Sequence, residues 1–130
     1  MHYELYLPFP PTVNNYYVKT QRGVFISHKG RKYRDEVMQA VAEQIGEMAP
    51  IDERMLVEII LFPPDKRRRD VDNYNKAMLD AITQTGFWLD DSLIDQLFNY
   101  RGVTKKGGQA YIRITDAGPL MSDARMLPMD

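Results

Sequence analysis

The stretch KRRRDVDNYNK, Lys66 to Lys76, sets four consecutive cations beside two aspartates one residue apart, with a lone lysine closing the run. Carboxylates brought together repel and raise one another's pKa, and a divalent cation removes that cost. Mg²⁺ suits such a place because it prefers oxygen ligands and takes water and substrate phosphate at its other positions. An ion held there activates water and stabilises charge on a phosphodiester; two ions clamp both the attacking and the leaving oxygen. Asp70 and Asp72 would point to opposite sides of a helix but to the same side of an extended segment. The DVD triplet therefore reads as lying between a strand end and a helix start, both carboxylates facing one way. From Asp72 onward, Asn73, Lys76 and Asp80 share a polar helix face. A second acidic pair, Asp90-Asp91 in GFWLDDSLID, comes after the helix and closes on the first if the helix returns the chain beside the strand.

A structural account uses the same residues. Asp72 then only caps the helix and meets its N-terminal dipole, with KRRR as a solvated run that pairs with it. Spacing alone does not choose, since a motif as short as DxD matches often by chance.

Lys66, Arg67, Arg68 and Arg69 can meet backbone phosphates, arginine with a planar two-pronged geometry, or can form a plain solvated loop. The segment PPTVNNYYVKTQR offers Asn14, Asn15, Tyr16 and Tyr17, a mix able to hydrogen-bond a nucleic-acid backbone and stack on unpaired bases. Its alternative is a packing loop whose tyrosines cover a sheet edge. Trp88 reads as a core anchor. With only His2 and His28 present, a histidine metal site or Ser-His-Asp triad is disfavoured, and TKKGG lacks the following helix of a phosphate-binding glycine loop.

The elements that must position these groups follow from pattern. A chain of 130 residues reads as one domain, long enough for a real core without disulfides, and it has no cysteine. The opening MHYELYLPFPP is broken by Glu4 and three prolines, which argues against a signal segment or membrane span and for a cytoplasmic protein. A net charge of −1 does not advertise nucleic-acid binding, so any phosphate-facing surface must come from local clustering.

His2 to Leu7 alternates as a strand. Pro8 to Phe25 reads as a long loop with a short hairpin in it. Ser27 caps a helix from about His28 to Glu47, with Tyr33, Val37, Ala40, Val41, Ile45 and Met48 as its buried stripe. Arg54 to Phe62 is a well-covered strand ended by Pro63-Pro64. A second helix begins near Asp72, buries Tyr74, Ala77, Met78, Ala81, Ile82 and Thr85, and stops at Gly86. Leu93 to Val103 and Gln109 to Thr115 read as an antiparallel hairpin joined by TKKGG. Asp116 to Asp130 is expected to be a mobile tail. The expected fold is a small α/β domain over 1–115 in β-α-β-α-β-β order, a mixed sheet with helices mainly on one face.

Taken together, LPFPPTVNNYY, PDKRRRDVDNYNKAMLDAI with GFWLDD, and VTKKGG resemble the RusA-type Holliday-junction resolvases of bacteria and their phages and prophages. The resemblance runs from about Leu5 to Thr115. It implies a homodimeric, magnesium-dependent endonuclease, Mn²⁺ serving as substitute, that resolves four-way DNA junctions by paired symmetric nicks in a bacterial or phage-infected cell. By motif position it implies Asp70, Asp72 and Asp91 as ligands of one or two ions, Lys76 as catalytic lysine and Asp90 as an assisting neighbour. DNA would be positioned by Lys66, Arg67, Arg68, Arg69, Asn73 and the Asn14–Tyr17 loop.

Overall fold

The most apolar segment of the chain decides the sheet. Met55–Phe62 forms a strand (β4) on which Met55, Val57, Ile59 and Leu61 are buried and the residues between them are half-buried. So apolar a strand is best covered when both its backbone edges are paired, which keeps it from presenting a sticky free edge. The computed structural model, which describes residues 1–129, gives it neighbours on both sides.

Around it, in chain order, lie β1 (His2–Leu7), a helical turn α1 (Val13–Tyr16), β2 (Tyr17–Thr20), β3 (Gly23–Ile26) and α2 (His28–Gln44) before β4. A 3₁₀ turn (Val71–Tyr74) then runs into α3 (Asn75–Thr85), and a second (Asp91–Leu93) leads to β5 (Ile94–Arg101) and β6 (Gln109–Asp116). The four-stranded sheet has the order β1-β6-β4-β5; β4 and β5 run parallel and the other two pairings are antiparallel. The expected mixed sheet is present, and β2 and β3 are the hairpin expected inside the long loop.

One pairing differs from the sequence reading. β5 and β6 are not a hairpin: β4 lies between them, and the TKKGG segment carries the chain across the end of β4. The crossing is held where the Gly102 amide donates to the Leu61 carbonyl at 2.8 Å and Lys105 donates to Pro63 at 2.9 Å. Local turn chemistry suggested adjacency, but burying both edges of β4 outweighs it.

Leu5, Leu7, Ala110, Ile112 and Ile114 extend the buried face of β4, and Tyr33, Val37 and Val41 of α2 with Ala77, Met78, Ala81 and Ile82 of α3 close the same core. The Ser27 side chain caps α2 by accepting from the Gly30 amide at 2.9 Å. Gly86, at φ +80°, ends α3 in the left-handed conformation that glycine adopts without strain. Trp88 is fully buried and donates its indole N–H to Thr83 Oγ1 at 2.7 Å. Beyond β6, Gly118 donates to Gln96 and Asp123 caps a short turn (Ala124–Met126); Asp130, the end of the expected tail, lies outside the described residues.

Gly30 fixes how closely α2 approaches the N-terminal segment. A Cβ built there would lie 2.4 Å from the Tyr16 carbonyl oxygen and 2.7 Å from Ile26 Cγ1. Helix propensity alone makes Gly30→Ala stabilising by about 1 kcal/mol. Here the clash with backbone should win, because overpacking costs about 1–3 kcal/mol and carbonyl oxygen cannot rotate aside. Chemical denaturation of Gly30→Ala is expected to show a net loss of stability; a gain would mean that the segment yields freely.

Candidate functional site

The end of β4 delivers the chain into the basic run, and Asp65 organises it. Its carboxylate accepts from the Arg67 backbone at 3.0 Å and from Arg69 Nη1 at 2.8 Å, with Arg67 Nη2 at 3.1 Å. Those bonds, from Arg69 first and then Arg67, hold the Asp65 carboxyl well below the usual carboxylate range. Arg69 is anchored further by the Arg101 guanidinium, which donates to its carbonyl at 2.8 Å, and its own guanidinium lies over the Phe9 ring. Among the described residues, Lys66 and Arg68 make no ion pair. The sequence reading passed over Asp65, although its spacing of two and four to the arginines is the signal that would have found it.

Asp70 and Asp72 are therefore not what neutralises the arginines. Asp70 is extended (φ −90°, ψ 127°) at the start of the 3₁₀ turn and makes no side-chain cap. Asp72 sits exposed within that turn, and α3 opens at Tyr74 with no side-chain cap either. Both carboxylates lack an ion-pair partner among the described residues. Asn73 donates its amide to the Asp70 carbonyl at 3.2 Å.

The second acidic pair enters from the other end of α3, because the parallel β4-α3-β5 crossover returns the chain to the start of β4. The Asp90 carboxylate accepts from Ser92, which holds it below its usual range; partial burial and the charges of Asp90 and Asp80 push Asp91 up. Asp91 thus stands within the field of Asp80, which lies on α3 beyond the 3₁₀ turn that carries Asp72. Among the described residues, no three acidic or histidine side chains converge as a metal cage. The donor chemistry still fits a hard divalent ion: every candidate ligand is a carboxylate, two are uncommitted, and Mg²⁺ is commonly held by one or two carboxylates with substrate phosphate.

Lys76 and Asp80 lie one turn apart on α3, against the NNYY segment. The Lys76 ammonium is 5.4 Å from the centre of the Tyr17 ring. Tyr16 is fully buried and donates its hydroxyl to Asp80 Oδ2 at 2.8 Å, while Arg34 of α2 approaches the same oxygen at 3.4 Å. Burial, with the Asp80 charge beside it, pushes the Tyr16 hydroxyl up to about 12, so it remains a donor. Tyr16 consequently presents no face to a nucleic acid, unlike the role read for it in sequence. Asn14 and Asn15 are exposed, and Tyr17 is half-buried. Arg34 carried no sequence signal; only the fold brings it to Asp80.

A groove of about 340 Å³ joins the two basic-and-polar segments: Pro10, Pro11, Thr12 and Asn15 line it together with Arg67, Arg68 and Arg69. A larger cleft of about 580 Å³ lies at the far ends of α2 and α3, among Met38, Met48 and Phe87, and holds none of the candidate residues. Among the described residues, no helix is long and apolar enough to cross a membrane.

Comparison with known proteins gives a consistent result. The family model described as endodeoxyribonuclease RusA matches residues 8–115. The crossover junction endodeoxyribonuclease RusA of Enterobacteria phage 82 is 41% identical over 121 residues, covering 89% of this chain and 96% of the relative. Its namesake in Escherichia coli strain K12 is 38% identical over 122 residues, with 89% and 96% covered. That of phage HK97 is 38% identical over 114 residues, with 88% and 94% covered.

Because neither aspartate of the DVD triplet caps the helix, Asp70→Asn and Asp72→Asn should each leave metal-free stability within about 0.5 kcal/mol of the parent. Thermal melting in chelator checks this. A loss near 1 kcal/mol or more, the usual worth of a cap, would return Asp72 to a structural role.

Proposed function

The chain belongs to the RusA family of endodeoxyribonucleases, and on that premise we propose that it is a Holliday-junction resolvase, cutting four-way DNA by paired symmetric nicks with Mg²⁺ or Mn²⁺. The observation that carries the reading is the division of labour around the DVD triplet. Asp65 takes up Arg67 and Arg69, so Asp70 and Asp72 stand without an ion-pair partner next to the basic run that lines the groove. A fold that needed this charge only for balance would have paired it.

In this reading Asp70, Asp72 and Asp91 would hold one or two ions, which requires Asp91 to be brought from beside Asp80 to the DVD pair when the site assembles. A divalent ion bound there supplies Lewis acidity and a water ligand of lowered pKa. The chain's own residues do the rest. Lys66 and Arg68, uncommitted in the free protein, neutralise backbone phosphates, and Asn14, Asn15, Tyr17 and Asn73 give hydrogen bonds or contact that fix register. Arg67 and Arg69, fixed by Asp65, present remaining N–H groups to the groove without the entropy cost of loose side chains. Lys76 sets its ammonium against the negative charge that grows on the phosphate oxygens as the P–O bond breaks. Asp90 orders the turn that carries Asp91 through its bond from Ser92. A four-way junction has approximate two-fold symmetry and needs two cuts, which a C2 homodimer supplies. The working compartment is the cytoplasm of a bacterial or phage-infected cell.

The deciding experiment is nicking of a labelled four-way junction against a matched linear duplex. Junction-selective nicking is expected with Mg²⁺ or Mn²⁺ and poorly with Ca²⁺, whose looser coordination misplaces the reacting oxygens. Asp72→Asn should lose at least a hundredfold in rate while binding the junction as well or better. Full activity in EDTA would overturn the metal reading, and tight binding without any nicking would make the protein a junction-binding module instead.

Sedimentation of the DNA-free protein at micromolar concentration should give a dimer, with both strands cut within one binding event. A monomer that releases singly nicked junction would remove the paired-nick mechanism.

A further inference from the structure

Lys76 and Asp80 are four residues apart on α3, the spacing at which a lysine and an aspartate on one helix face ordinarily meet. They do not pair here. The Asp80 carboxylate is drawn instead toward the N-terminal segment and α2, by the Tyr16 hydroxyl at 2.8 Å and the Arg34 guanidinium at 3.4 Å. The Lys76 ammonium lies against the Tyr17 ring, 5.4 Å from its centre. The two tyrosine rings meet edge to face with centres 4.7 Å apart, so adjacent residues receive adjacent turns of the helix. With Arg34 gone, the cation left to Asp80 one helical turn away on α3 is Lys76, and without the Tyr16 hydroxyl the carboxylate is less firmly held toward α2.

We propose that Arg34 and Tyr16 are positioning residues that keep the Asp80 carboxylate from capturing Lys76, leaving that ammonium, steadied on the Tyr17 ring, available to a substrate phosphate. A lysine bound to a neighbouring carboxylate has spent its charge before substrate arrives, whereas one resting on an aromatic face is loosely held and gives up little to leave. The proposal rests on the nuclease reading for the use of Lys76, though the sequestration itself is a property of the free protein.

Two readouts test it. In the first, DNA-free protein is labelled with an amine-reactive acetylating ester and the rate at Lys76 is followed by mass spectrometry. In the second, single-turnover nicking of a four-way junction is measured beside junction affinity. Arg34→Gln should slow acetylation of Lys76 severalfold and nicking about tenfold, with affinity changed less than twofold. Arg34→Gln with Asp80→Asn should restore both rates, because the competing carboxylate is gone. Tyr16→Phe, which keeps the buried ring, should show the same pattern at smaller amplitude, so the test does not hang on the folding of one variant. Unchanged Lys76 acetylation in both Arg34→Gln and Tyr16→Phe, or a double variant as slow as Arg34→Gln in both readouts, would overturn the proposal. Failure of the nuclease reading looks different: the parent would not nick, or Lys76→Ala would nick at the parent rate, whatever the acetylation shows.

Discussion

Tyr16 is the point at which three parts of the chain become one body. Its ring is sealed in the core, its hydroxyl reaches α3, and its carbonyl accepts the Ser27 amide at 2.9 Å where α2 begins. Gly30 lets the first turn of α2 lie flush against it. Remove that seat and the N-terminal segment loses its ties to α3 and to the start of α2, although the two helices still pack on each other in the core. With them go the groove beside the basic run and the placement of Lys76. A buried tyrosine whose hydroxyl is satisfied gives large apolar contact and a directional bond from one residue, an economical way to tie a proline-rich loop to two helices.

Charge in this chain is arranged by distance rather than by amount. A net charge of −1 is compatible with a nucleic-acid partner because the cations of KRRR are concentrated and then oriented by one carboxylate, Asp65. That pairing is exposed and contributes little stability. Its effect is geometric. Two arginines are fixed at the groove, Lys66 and Arg68 are left for a partner, and the DVD carboxylates are released from the role of counter-charge. Without Asp65, the carboxylates next to the arginines in sequence are those of Asp70 and Asp72, which would compete to take its place.

Much of this could be read from residues in order. Ser27 announced the start of α2, the Tyr33-Val37-Val41 stripe its buried face, Gly86 the end of α3, and Trp88 a core anchor, because each depends on neighbours a few residues away. The relation of β5 to β6 depends on where β4 finds partners, a comparison of whole-sheet arrangements that no turn motif encodes. Tyr16 failed to declare itself for a similar reason. Among asparagines and a second tyrosine it looks like a contact residue, and only Asp80, 64 positions on, reveals it as internal. Arg34 needed the same long-range knowledge. Asp65 did not: Arg67 and Arg69, two and four residues on, are a local signal for its pairing.

The interior position of β6 has a temporal meaning. The strand that β1 and β4 both require is the last to be synthesised, and His2 finds its partner at Thr115. Until that strand exists, β1 has no sheet to join and one edge of β4 is bare. Sequence-distant pairing of this kind raises contact order and slows folding, since a long loop must close before any of its contacts are gained. A chain interrupted short of residue 109 lacks the strand that joins its beginning to its middle, so a partial product holds every aspartate of the candidate site yet has no finished scaffold to present them. The topology thus defers competence until β6 has been made.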